Sequence, residues 1–112
     1  MRIDWTPTAH REFKAALTYL QERNRHASEV WQEQVSEMLA TLERVPQIRH
    51  RHRTERTGEF REVVVGTYRF IYRYAPGELI MRRVLHVRRD YDPMRIREGV
   101  PRGFPGIRVG LA

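Results

Sequence analysis

Phe60-Arg61-Glu62-Val63-Val64-Val65-Gly66-Thr67-Tyr68-Arg69-Phe70-Ile71-Tyr72-Arg73-Tyr74 decides the fold class of this sequence. It is dense in β-branched and aromatic residues, and Gly66-Thr67 divides it with a joint short enough for a hairpin. The second half alternates, with Tyr68, Phe70, Tyr72 and Tyr74 on one face and Arg69, Ile71 and Arg73 on the other. Side chains along a strand point to opposite faces in turn, so the aromatic set is predicted to face the core and the two arginines the far side.

Downstream, Ala75-Pro76-Gly77 provides a second tight joint, and Leu79 to Val87 reads as a third strand. Two registers fit it. One buries Arg83 with Leu79, Met81 and Leu85; the other buries Arg82 and His86 with Ile80 and Val84. The first is favoured. Upstream, Arg2 to Trp5 reads as a short edge strand. Thr6-Pro7 then opens a helix, since Thr offers a capping oxygen and Pro at the first helical position gives up no needed N–H. Phe13, Ala16, Leu17 and Leu20 form one helical stripe. After a polar break at Asn24 to Ala27, Ser28 caps a second helix with the stripe Trp31, Val35, Met38, Leu39, Leu42 and Val45, which Pro46 ends. So short a joint predicts an antiparallel helix hairpin. The expected architecture is α+β: an antiparallel helix hairpin packed on a mainly antiparallel three- to four-stranded sheet, in the order β-α-α-β-β-β. Residues 1–93 form the single domain. Gln47 to Glu59 reads as a basic loop, and 94–112 as a Gly/Pro-rich C-terminal tail.

Composition narrows the function. The 112 residues carry 21 Lys+Arg against 14 Asp+Glu, a formal charge of +7, and Lys14 is the single lysine. Arginine favours bidentate contacts to phosphate or carboxylate, which suits an acidic partner or RNA. A chain without cysteine excludes disulfides, thiol nucleophiles and Cys-based metal sites. No apolar run approaches the roughly 20 residues of a membrane helix, so the expected location is cytoplasmic, without membrane contact. No Gly-rich phosphate loop, nucleophile elbow or carboxylate cluster calls for a cofactor.

Three constellations can carry chemistry. Arg49-His50-Arg51-His52-Arg53 suits phosphate contact or a solvated loop; its arginines repel a metal ion, and no metal site is expected. Arg69 and Arg73, with Arg61 on the neighbouring strand, form either an anion-binding surface or a solvated sheet face. His86-Val87-Arg88-Arg89-Asp90-Tyr91 brings together an imidazole, two guanidinium groups and a phenol. That set can serve RNA cleavage, or His86 is a hydrogen-bonded strand-end residue with Asp90 pairing to an arginine.

The hairpin quoted above and Val84-Leu85-His86-Val87-Arg88-Arg89-Asp90, preceded by the two helices, together resemble the RelE/ParE family of bacterial type II toxin–antitoxin toxins. The resemblance covers about residues 2 to 93. It implies a toxin causing growth arrest, neutralised by a cognate acidic antitoxin with which it forms a hetero-oligomer. RelE-like members are ribosome-dependent mRNA endoribonucleases; ParE-like members share the fold and inhibit DNA gyrase. Arg69 and Arg89 match arginines functional in RelE. Arg61 falls at the first strand lysine of RelE and Val63 at the second, and Tyr91 follows Arg89 too closely to match RelE's terminal tyrosine. The ParE-like reading, with no catalytic residues, is therefore favoured, and its target-binding set is Arg61, Arg69, Arg73, Arg88, Arg89 and Tyr91. The alternatives are a RelE-like nuclease using His86, Arg69, Arg89 and Tyr91, with the ribosome and mRNA as partners, or a non-toxic RNA- or protein-binding module.

Overall fold

The computed structural model describes residues 2–46, 50–51, 59–89 and 102. Strand β1 (Ile3–Trp5) leads into helices α1 (Pro7–Arg23) and α2 (Arg25–Arg44), followed by β2 (His50–Arg51), β3 (Glu59–Val65), β4 (Tyr68–Ala75) and β5 (Glu78–His86). The sheet order is β1-β5-β4-β3-β2, with β1 parallel to β5 and every other pair antiparallel. This is the expected helix pair on a mixed sheet. The segment read as a loop over 47–59 contains the two-residue β2, which pairs His50 with Glu62 and Arg51 with Arg61. Apart from Arg102, the tail 94–112 lies outside the described residues. No helix among the described residues is long and apolar enough to cross a membrane.

Thr6 joins sheet to helix. Its hydroxyl accepts from the Ala9 N–H at 3.1 Å, capping α1, and donates to the Arg82 carbonyl at 3.1 Å. Its own N–H donates to the Met81 carbonyl, extending the β1–β5 ladder. The joint between the helices is tighter than the polar break suggested. Asn24 alone is extended there; its N–H donates to the Leu20 carbonyl and its side chain accepts from Ala27 N–H. Asn24, not Ser28, is the cap. Ser28 is buried one turn inside α2, where its hydroxyl donates to the Arg25 carbonyl at 2.7 Å. A single linking residue forces the helices into a hairpin, and their apolar stripes close on the aromatic face of the sheet.

Trp31 sits at the centre of that interface. It stacks on Phe13 at 5.3 Å between ring centroids, lies 6.0 Å from Phe70, and donates its indole N–H to the Val65 carbonyl at 2.9 Å. Beside it, Gly66 turns β3 into β4 with φ +64°, and a Cβ there would stand 3.1 Å from Trp31 Cδ1. Gly77 makes the β4–β5 turn with φ +77° and open space around it. Both Gly→Ala changes carry the left-handed backbone cost of about 1–2 kcal/mol, but only Gly66→Ala must also displace a packed indole. We expect Gly66→Ala to lower the melting temperature several degrees more than Gly77→Ala; equal shifts would show that Trp31 yields freely.

The third strand takes neither register whole. Tyr72 pairs with Met81 but Ile71 pairs with Arg83, so Arg82 is the extra residue of a bulge. Leu79 and Met81 before it, and Val84 after it, all join the core beneath the helices. The bulge changes the alternation between Met81 and Val84. Leu85 instead joins Phe60 and Ile71 in a second buried cluster on the side of the sheet away from the helices. That side is thus not simply solvated.

Candidate functional site

The alternation of β4 carries Arg69 and Arg73 to the side away from the helices, as the pattern predicts. Each has a carboxylate beside it. Arg69 Nη1 lies 3.7 Å from Glu62 Oε2 on β3, with both side chains about four-fifths buried, and Arg73 Nη1 lies 3.8 Å from Glu78 Oε1 on β5. Pairs of this length and exposure add little stability, but they offset the positive charge that an anion would seek. Between the two arginines stands Ile71, fully buried, and Arg82 lies 5.8 Å over the Phe60 ring. This face is an apolar cluster crossed by compensated arginines.

Arg61 does not join them. It pairs with Tyr72, and Val63 with Phe70, so both lie on the helix-facing side of β3, where Val63 is part of the core. A lysine at 63 would enter that apolar layer.

His86 ends β5 opposite Tyr68, and the two rings meet edge to face at 5.6 Å. It is exposed, and its Nδ1 accepts a hydrogen bond from the Arg88 N–H at 3.2 Å. Two further bonds hold the turn: Val87 N–H donates to the Thr67 carbonyl and Arg89 N–H to the His86 carbonyl, each at 2.9 Å. The result is a short, backbone-fixed turn presenting Arg88 and Arg89 to solvent. Among the described residues no carboxylate pairs with either. Arg69 belongs to the opposite side of the sheet from Tyr68 and His86. The Arg69 guanidinium is therefore apart from the imidazole, whereas Arg89 lines the same concavity as His86. Tyr91 and Asp90 lie outside the described residues, as does His52; of β2, only the backbone of His50 and Arg51 is described.

Two elements of the site were not read from the sequence. Tyr68 stands against His86 and faces Tyr19 of α1; burial pushes the Tyr68 phenol above its usual value, and the neighbouring phenol adds to the shift. It stays neutral near physiological pH and offers a hydrogen-bond donor, not a base. The other is a clamp that ties the inside of β5 to α1. Arg83 donates to Glu12 of α1 through Nε at 2.9 and 3.0 Å and through Nη2 at 2.7 Å, while Val84 N–H donates to the same carboxylate at 3.0 Å. Seventy-one residues separate these partners, and no local pattern announces them.

The sequence matches the family model for the ParE toxin of type II toxin–antitoxin systems, parDE, over residues 3–91. No curated protein matches it. Among solved structures, a chain of the chromosomal ParDE toxin–antitoxin system from P. aeruginosa superposes with a TM-score of 0.56. It is 17% identical, over 77% of this chain and 95% of the other, and this likeness concerns the fold.

Proposed function

The chain belongs to the ParE toxin family of type II toxin–antitoxin systems, and from that premise we propose that it arrests growth by binding DNA gyrase, without catalysis, until a cognate antitoxin neutralises it. The observation that supports this reading is the division of the charged groups. Arg69 and Arg73 are offset by Glu62 and Glu78 on one side of the sheet. Arg88 and Arg89 stand uncompensated among the described residues on a rigid turn at its end. General acid–base catalysis needs its groups within hydrogen-bond reach of one reacting site and contributes roughly 100- to 10,000-fold. His86 and Arg69, on opposite sides of the sheet, do not meet that condition, and Arg89, which lines the same concavity as His86, supplies charge but no proton-transfer group. A binding surface needs only fixed, accessible charge and complementary shape. The net charge of +7 suits both an acidic antitoxin and an acidic target surface.

Two assays on one purified preparation test the proposal. Inhibition of gyrase supercoiling is expected, with no cleavage of mRNA on ribosomes. Ribosome-dependent cleavage that disappears in His86→Ala or Tyr91→Phe, with gyrase unaffected, would replace this reading with the nuclease and leave the family and fold standing. Inactivity in both assays, together with harmless overexpression, would favour a binding module.

A further inference from the structure

The sheet is buried on two sides. Both helices pack on the side that carries Phe70 and Tyr72, and among the described residues no helix or strand lies over the other. Yet on that other side Ile71 is 0% exposed, Leu85 2%, Phe60 5%, Arg82 7% and Ile80 9%. A sheet face open to water does not hide its residues so fully. Nor are the long side chains that cross it the outer layer, since Arg69 and Arg73 are themselves only 18% and 23% exposed. A cover lies above them. These exposures belong to a single chain, so the cover belongs to it as well.

Its extent can be traced. Val64 pairs with Arg69 and stands on the same side, but it is 53% exposed. The buried track therefore misses the tip of the β3–β4 hairpin. It starts at Leu85, just before the turn where the chain leaves the sheet, and passes Ile71 to reach Phe60 and Ile80.

Composition identifies the segment. Of the internal stretches outside the described residues, 47–49 and 52–58 offer Ile48 as their one apolar side chain. Residues 90–112 carry Ile96, Val100, Phe104, Ile107, Val109 and Leu111, along with Asp90, Asp92 and Glu98. The apolar set suits Phe60, Ile71 and Leu85, and a carboxylate suits the Arg82 guanidinium, which is costly to enclose unpaired. Pro93, Pro101 and Pro105 bring no N–H to a sheet ladder, which favours crossing the strands over joining them. An extended chain covers roughly 3.3 Å per residue and neighbouring strands stand about 4.8 Å apart, so a third of this segment spans the sheet. The family match stops at residue 91, so the segment lies beyond what the shared fold supplies.

We propose that residues 90–112 lie across this side of the sheet and close it, so that Arg69, Arg73 and Arg82 are held inside the fold and not offered to a phosphate. The Arg88–Arg89 turn, after which the segment begins, stays exposed. This holds whether or not gyrase is the target.

The chain lacks cysteine, so Arg108→Cys takes a single nitroxide label in the full-length protein, at a charged position between Ile107 and Val109. Amide signals of residues 69–73 and 80–85 should lose most of their intensity to the label. Those on the outer faces of α1 and α2, beyond the sheet, should keep theirs. Adding Phe104→Asp with Ile107→Asp should restore the strand signals and lower the melting temperature by several degrees. If that double change unfolds the chain, the single label at 108 still decides. Strand signals untouched in the folded, labelled chain, or helix signals lost in their place, would overturn the proposal. Equal losses when labelled chains are mixed with unlabelled, isotope-enriched ones would assign the cover to a second copy and overturn it as well. A double variant that melts and broadens like its parent would show that these side chains do not hold the segment, and would refute it.

Discussion

Glu12→Ala should destabilise the fold by about 3–5 kcal/mol, the range for breaking one side of a buried ion pair. The carboxylate accepts three contacts from the Arg83 guanidinium and one from the Val84 N–H, and the two side chains are only 18% and 12% exposed. Removing it leaves a guanidinium with little access to water and a backbone donor without its acceptor, and both lose more than the mean worth of a hydrogen bond. The loss also has a place. Arg83 follows the bulge residue Arg82, so the clamp fixes the strand where its alternation has just changed. Val84 to Arg89 should therefore lose amide protection before the centre of β4 does. Urea unfolding should show a lower midpoint at unchanged slope. A loss below about 1 kcal/mol would mean that the pair behaves as a surface contact. The double change Glu12→Leu with Arg83→Met should recover much of the stability, because it removes both charges together.

The bulge shows where sequence reading ends and tertiary pairing begins. Leu79 and Met81 are two residues apart, but Val84 follows Met81 by three, and all reach the same core. Both strict registers assumed one phase throughout, so each was right for half of the strand. That slip, bracketing Arg82-Arg83, is the only local trace of the bulge. Elsewhere the local signals agreed with the packing. Thr6-Pro7 capped α1, and the aromatic alternation of Tyr68 to Tyr74 faced the helices. Asn24 and Ser28 both suit an N-cap by residue type, and only the packed hairpin shows that one linking residue suffices. At the site, the sequence placed Arg69 and Arg73 on one face correctly. It gave no sign that Glu62 and Glu78, on neighbouring strands, lie within 4 Å of them, since cross-strand partners depend on register. Nor did it show that Arg61 belongs to the opposite side.

That correction directs the second large effect. Reversing the turn, with Arg88→Glu and Arg89→Glu together, should reduce inhibition of the target by at least about 100-fold, since an arginine at an interface centre contributes about 2 kcal/mol or more. Stability should change little, because both side chains are exposed and the turn is held by backbone bonds from Val87 and Arg89. Arg69→Ala and Arg73→Ala should each retain most of the potency. Their charges are already offset by carboxylates, and truncating either removes an ion pair of the fold more than a contact available to a target. The discriminating measurement is a potency series for gyrase inhibition across all four positions, with each variant's melting temperature recorded. If Arg69→Ala silences the protein while the double reversal leaves it active, the target binds the sheet face. Glu62 must then give way to a stronger anion, and the arrangement of charge would favour RNA after all.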